Sequence, residues 1–388
     1  MQINSTYILI DNKKALELAV INFQASQVIS VDTESSSFYT YFPKVCLIQI
    51  TSSNKNYIID PLAKMDISLL GPVFQNEKIL KIFHSAIDDI KALKRDFGFQ
   101  FKNIADTMYS SKLLALEHNS LNHLVFHYHN LKLSKTEQKS NWEKRPLEKE
   151  QLKYAALDTA YLESIWTKME SELNELGLFE EASSEFEKFT EEIYKPRDSN
   201  AEIPWHKFPN IQKFSPEERR TIHDLLQFRE EKAKRANKAT FRIMNNDSLI
   251  KLVKEKPSAE EILKQFGKKD SEDIIKLLNE PSGPPFEKVE TPKIDKDITP
   301  LEEGKLRGFH KWRDKVMKKR NMDHTMLLSN KQFLQILRNN CETIEDIQKL
   351  NLISEWKLKN YAPSLLKLIK NEPYEDLLEN LMPIPKRK

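Results

Sequence analysis

Residues 27–36 read QVISVDTESS, and whether this is an ordinary strand end or the edge of a built site decides how the chain is understood. Val28, Ile29 and Val31 are β-branched and apolar, as the inside of a sheet requires. Side chains on a strand alternate faces with a period of two, so Asp32 and Glu34 point the same way. Two like charges forced together repel unless a proton or a cation sits between them. Two readings fit this stretch by itself: the strand has ended and both acids are solvated in a turn, or a cation joins them. The rest of the chain has to decide.

Around it, strand-like and helix-like patterns alternate. QVISVDTE, VCLIQIT, NYIIDP and ILKIFHS read as short strands. KKALELAVINF, AIDDIKALKRDF, ADTMYSSKLLALE and EKEQLKYAALDTAYLESIWTKMESELNEL read as helices. The first three strands are closely spaced, with SSNKN before NYIID, which predicts an antiparallel meander inside a mixed α/β domain. That domain is expected over 1–195, followed by a linker at 196–212, where KPRDSNAEIPWHKFPN breaks periodicity.

Beyond it the pattern is helical. Ser215, Pro216 and Glu218 are a cap, a first-turn proline and a first-turn acid. A helical domain is expected over 213–280, a proline-rich connector over 281–298, a second helical domain over 299–372, and a tail over 373–388. The two helical blocks resemble one another. Each has an aromatic-Arg pair (Phe228-Arg229, Trp312-Arg313) and then a basic helix, so an internal repeat of roughly 85 residues is read here. Phe228 and Trp312 are expected in the cores of their blocks.

Bulk properties narrow the class. At 388 residues the chain suggests more than one domain. With 39% apolar and 31% charged residues, a mean hydropathy of -0.60, and no window approaching the ~20 apolar residues of a membrane span, a soluble protein is expected. The N-terminus lacks the pattern of a signal peptide, and a cytoplasmic location is expected. Cys46 and Cys341 lie too far apart in sequence to suggest a disulfide framework or a thiolate zinc site.

Two further features could carry chemistry with Asp32 and Glu34. In FHSAIDDI, Asp88 and Asp89 open a helix whose Ile87, Ile90 and Leu93 face the core. In YAALD, Tyr154 and Asp158 stand at i and i+4, on one helical face. Each is ordinary in isolation, since acids at a helix start suit the macrodipole and a Tyr/Asp pair suits a half-buried face. Their co-occurrence, in this order on a mixed sheet, is not ordinary.

This set, D-x-E on a first strand, an Asp in H-x-x-x-x-D-[LI], and Y-x-x-x-D on a late helix, resembles the DEDD 3′–5′ exonucleases of the tyrosine subgroup. LIQI, ADTMYSSKLL and LSKTEQKSNWEKRPLEKEQLKYAALDTAYL, with Lys135, Gln138, Trp142, Arg145 and Pro146, are similar to the ribonuclease D family, and the two helical blocks to its HRDC domains. The resemblance implies a ribonuclease H-like mixed sheet flanked by helices, then two small all-α domains. It implies that Asp32, Glu34, Asp89 and Asp158 hold two divalent ions, Mg²⁺ or Mn²⁺, about 3.5–4 Å apart. Asp32 would touch both ions. Glu34 and Asp158 would hold the one carrying the nucleophilic water, Asp89 would act on the other through waters, and Tyr154 would orient the water. Asp89 is preferred to Asp88 by its spacing from His84, and His84 is assigned to packing or the turn.

The implied reaction removes nucleotides singly from an RNA 3′ end and releases nucleoside 5′-monophosphates, with tRNA precursors the first substrate and a monomer the favoured state. A DNA exonuclease of the same superfamily and a non-catalytic RNA-binding adaptor are the alternatives; the complete set of acids counts against the adaptor. Eight Lys or Arg against one Asp between Lys305 and Arg320, and nine against four acids between Arg229 and Lys256, mark auxiliary RNA contacts. Lys311, Arg313, Lys318, Lys319, Arg320, Lys234 and Arg235 are the candidates. The acidic stretch from Glu163 to Glu192 cannot bind phosphate and is expected to face away from the substrate.

Overall fold

The computed structural model describes residues 6–134, 136–196, 203–289 and 298–384. Along the chain run β1 (Tyr7–Ile10), α1 (Lys13–Gln24), β2 (Val28–Ser35), β3 (Val45–Ser52), β4 (Lys55–Ile59), α2 (Gly71–Gln75), β5 (Leu80–Phe83), α3 (Ala86–Phe97), β6 (Ile104–Asp106), α4 (Thr107–Leu113), α5 (Leu121–His129), α6 (Lys149–Ala160), α7 (Leu162–Glu175) and α8 (Phe179–Thr190). There follow α9 (Pro216–Ala236), α10 (Thr240–Ile243), α11 (Asn246–Glu255) and α12 (Ala259–Asn279), then α13 (Pro300–Arg320), α14 (Asn330–Arg338), α15 (Ile344–Lys349), α16 (Glu355–Lys370) and α17 (Glu375–Glu379). No helix among the described residues is long and apolar enough to cross a membrane.

The chain divides into two compact units, one of residues 1–35, 45–194 and 299–388, the other of 36–44 and 195–298. In the first, every residue of β3 is buried, as a strand covered on both faces must be. It sits inside a mixed six-stranded sheet of order β1-β4-β3-β2-β5-β6. The expected meander is present, β2 antiparallel to β3 and β3 to β4, while β1, β5 and β6 add in parallel.

Local chemistry accounts for where the elements differ from their sequence patterns. Residues 105–117, expected as one helix, divide at Asp106, whose carboxylate accepts from the N–H groups of Met108 and Tyr109 and so starts α4 at Thr107. The three residues that end at that cap, Ile104–Asp106, extend the sheet as β6. The long helix expected over 148–176 breaks at Tyr161, where α6, lying on β2, β3 and β4, gives way to α7, lying on α4 and α5. Gly177, in the left-handed region at φ 67°, separates α7 from α8.

The acidic stretch 163–192 is therefore two helices, and two of the four acids of α8 are withheld from water, while Glu180 and Glu187 are exposed. Glu181 and Glu185 are buried against the second helical block, which packs on α8 within the same unit. Arg320 Nη2 lies 2.6 Å from Glu181 Oε2, and Lys357 Nζ 2.9 Å from Glu185 Oε2. Ser354 Oγ also donates to Glu185. Arg320 is 1% exposed, and the Trp356 ring lies beneath its guanidinium. This corrects the place given to Arg320 among the RNA contacts: a cation buried on a carboxylate has no face left for phosphate. The end of the chain is folded as far as Ile384, whose N–H donates to the Arg320 carbonyl at 2.8 Å; residues 385–388 lie outside the described residues.

In the second unit, the stretch expected as a linker supplies core. Trp205, Phe208 and Ile211 are buried with Ile222, Leu225 and Leu249. Phe228 packs against the edge of that cluster, while Trp312 is fully buried in the other unit. Ser215 and Glu218 form the capping box at the start of α9.

Arg320→Ala leaves Glu181 as a buried carboxylate without its cation, and is expected to lower unfolding stability by about 3–5 kcal/mol. The double replacement Arg320→Met with Glu181→Leu is expected to recover most of that in urea unfolding. An Arg320→Ala midpoint equal to wild type would show that the pair is solvated.

Candidate active site

The site is built by three elements. β2 presents Asp32 and Glu34 on one face, with Gln49 and Leu47 of β3 as their cross-strand partners. α6 brings Asp158 to them. Its buried Ala155 and Ala156 let the helix lie close on the sheet, and Thr159 Oγ1 meets Thr51 Oγ1 at 2.6 Å. Ligand oxygens of Asp32, Glu34 and Asp158 all lie within 4.8 Å of one another.

Asp89 arrives from α3. The chain turns from β5 into this helix through Ser85 in the left-handed conformation, at φ 70°. Asp106 holds the turn by accepting from the Ser85 and Ala86 N–H groups at 3.2 and 2.8 Å. Asp89 is then buried and accepts a hydrogen bond from Thr33, while Asp88 is exposed. His84 Nδ1 lies 3.0 Å from Thr107 Oγ1, and burial lowers its pKa to about 4, leaving it a neutral packing group at the turn.

A second layer fixes the α6 side. Arg145 grips Asp60 in a fork, Nε to Oδ2 at 2.6 Å and Nη2 to Oδ1 at 2.7 Å, and also donates to the carbonyls of Cys46 and Trp142. That clamps buried Trp142 to β3, and the Tyr154 ring packs on it at 6.1 Å between centroids. Gln138 belongs to the same connection, and Lys135 lies outside the described residues.

The electrostatics follow from this packing. Burial raises the pKa of Asp32, and Asp158 beside it raises it further. Burial, then Asp32, Asp158 and Asp89, raise Glu34. Burial and then Asp32 raise Asp89, against the Thr33 hydrogen bond. Asp158 is pushed up to about 8 by burial and then by Asp89. Burial and the surrounding carboxylates keep Tyr154 protonated, so its hydroxyl is available as a hydrogen-bond donor at neutral pH. Four acids that resist ionisation beside one another fit a divalent cation, and a donor set of carboxylate oxygens alone suits Mg²⁺ or Mn²⁺ over zinc.

The basic candidates scatter. Lys311, Lys318, Lys319, Lys234 and Arg235 are exposed, with Arg235 3.3 Å from Glu231. Arg313 is half-buried and lies over Phe309. Thr33, Asp60 and Thr159 escaped notice because hydroxyls and lone acids are common; the position of Thr33 between the two strand acids was the available signal.

Comparison with known proteins places these features. Residues 7–174 match the family of 3′–5′ exonuclease domains, and residues 218–278 and 303–369 each match the HRDC domain, with starts 85 residues apart as the internal repeat requires. The chain is 30% identical over 280 residues to ribonuclease D of Haemophilus influenzae, covering 70% of each protein. It is also 30% identical over 269 residues to the exosome complex exonuclease RRP6 of Saccharomyces cerevisiae, covering 66% of this chain and 37% of the yeast protein's length. The solved structure of Escherichia coli RNase D, an exoribonuclease involved in structured RNA processing, superposes with a TM-score of 0.61 at 21% identity, over 95% of this chain and 100% of that one. At that identity the likeness is one of fold.

A carboxylate whose folded pKa stands above its unfolded value of about 4 contributes stability that is complete below that value and lost as pH rises through the folded one, about 8 for Asp158. The metal-free protein is therefore expected to lose melting temperature from about pH 5 to about pH 8, and Mn²⁺ to raise it more at the upper value, because bound protons compete with the cation. A shift equal at both, or none, would show that the cluster takes no cation.

Proposed function

As a member of the ribonuclease D family, the chain carries a 3′–5′ exonuclease domain followed by HRDC domains, and we propose that it hydrolyses RNA from the 3′ end, releasing nucleoside 5′-monophosphates, with tRNA precursors carrying 3′ extensions as substrates. The observation that carries this reading is the convergence of Asp32, Glu34 and Asp158, with Asp89 held beside them by Thr33. A bound divalent cation supplies Lewis-acid polarisation of the scissile phosphodiester and acidifies a water.

Each residue then has a task set by its surroundings. Asp32, Glu34 and Asp158 hold one ion through hard oxygens, and Asp32 with Asp89 holds a second. The protonated Tyr154 hydroxyl orients the attacking water, since a phenol this far from ionisation is a poor base and a good donor. Arg145 and Trp142 keep the Tyr154 ring in place. The exposed lysines of α9 and α13 bind phosphates on the body of the RNA, which makes affinity fall with salt.

A gel time course on a tRNA with a short 3′ extension and on a matched single-stranded DNA, with Mg²⁺ or EDTA, tests this. Wild type is expected to shorten the RNA stepwise and only with metal. Asp32→Ala or Asp158→Ala is expected to lower turnover at least about 10²-fold while retaining RNA binding, and Tyr154→Phe to lose less. Equal trimming of DNA would point to a nuclease without sugar selectivity, and Asp158→Ala activity near wild type would sink the assignment.

A further inference from the structure

Residues 36–44 leave β2 directly after the strand that carries Glu34, and they fold into the second unit, onto α9 and α10. Four hydrogen bonds fix this segment there. The Phe42 N–H donates to Asn237 Oδ1 at 2.9 Å, the Ala239 N–H to the Tyr39 carbonyl at 3.0 Å, Arg242 Nε to the Phe38 carbonyl at 2.9 Å, and the Tyr41 hydroxyl to Glu230 at 2.8 Å.

On so firmly held a backbone, burying the rings would be the ordinary outcome. Instead Phe42 is 55% exposed, Phe241 42% and Phe38 36%. Phe38 and Phe241 lie together, 4.9 Å between centroids, and the Arg242 guanidinium stacks 3.6 Å over the Tyr39 ring, within 5.6 Å of both phenylalanines. The Phe42 ring lies against Tyr41 on the same segment, 4.9 Å between centroids, and exposed rings so grouped in sequence are costly in water unless something covers them. The charge around it says what: residues 36–44 and 230–242 hold six Lys or Arg against two Glu, and both acids are engaged, Glu230 by Tyr41 and Glu231 by Arg235. Exposed aromatic faces, a planar cation among them and a positive rim are the composition that receives unpaired bases on a phosphate backbone.

We propose that Phe38, Phe42 and Phe241, with Arg242, form a stacking platform for the bases of single-stranded RNA. This rests on the reading of the chain as an RNA 3′ exonuclease, and it names the part of the substrate that must be unpaired: the nucleotides upstream of the one being removed. The strand that carries Glu34 runs directly into the segment that carries Phe38, with only Ser35, Ser36 and Ser37 between them in sequence.

The test is fluorescence anisotropy in EDTA with two labelled oligonucleotides of about 12 nucleotides, one of oligoadenylate and one of the same length with abasic sites throughout. Wild type is expected to prefer oligoadenylate. The Phe42→Ala, Phe241→Ala double variant is expected to bind oligoadenylate about tenfold more weakly and the abasic strand unchanged, and Phe42→Trp to restore the preference in the double variant's place. Equal binding of both strands by wild type, or equal losses on both in the double variant, would overturn the platform. Because the assay has no metal, a protein that trims nothing still reports on the platform, whereas trimming by wild type with no base preference would defeat this inference alone.

Discussion

Four carboxylates that would rather be apart are held together, and much of the first unit's architecture exists to prevent their separation. Burial and mutual repulsion both favour the protonated forms, so without a cation the cheapest relief would be for α6 or α3 to drift outward. Small residues seat α6 on the sheet, the Thr51–Thr159 contact pins it, and the Arg145–Asp60 fork clamps the connection before it. Asp106, by capping α4 and accepting from the start of α3 at once, does the same for Asp89. The strain is thereby converted into affinity for whatever neutralises it, which is how a preorganised ion site differs from a chance patch of acids.

The parts of this design that follow a period could be read from the chain. Period two in VDTES puts Asp32 and Glu34 on one face, and the i, i+4 spacing in YAALD puts Tyr154 above Asp158, because regular backbones make those relations unavoidable. Elements below the length of a pattern could not. β6 spans three residues and β1 four, too short for alternation to stand out. Trp205 and Phe208 sat in a proline-broken stretch, where irregular backbone hid that aromatic residues so placed need a core. Partnership was the other blind spot. Arg320 looked like Lys318 and Lys319, since charge is written in the sequence and the acid that buries it is not.

The repeat illustrates the same divide. Two copies of one domain recur at a fixed spacing and keep their cores, yet they are used differently. The second is joined to the nuclease sheet's own unit through buried ion pairs, whereas the first holds a segment borrowed from the connection between β2 and β3. Similar sequence thus fixes how each copy folds internally while the residues on its surface decide what it adopts as a neighbour.

The pairing of α8 with the second repeat also sets a clock on synthesis. Glu181 meets a partner 139 residues further along the chain, and Glu185 one 172 residues away. At about 5–20 residues per second, the emerging nuclease sheet waits roughly 10–30 s with two acids and their apolar surroundings uncovered. Meanwhile the first repeat, whose helices lie between them in sequence, is free to fold. Helices made later thus close a unit begun earlier, and a ribosome that stalls in the proline-rich stretch near Pro281–Pro285 leaves a nuclease sheet without the block that buries α8.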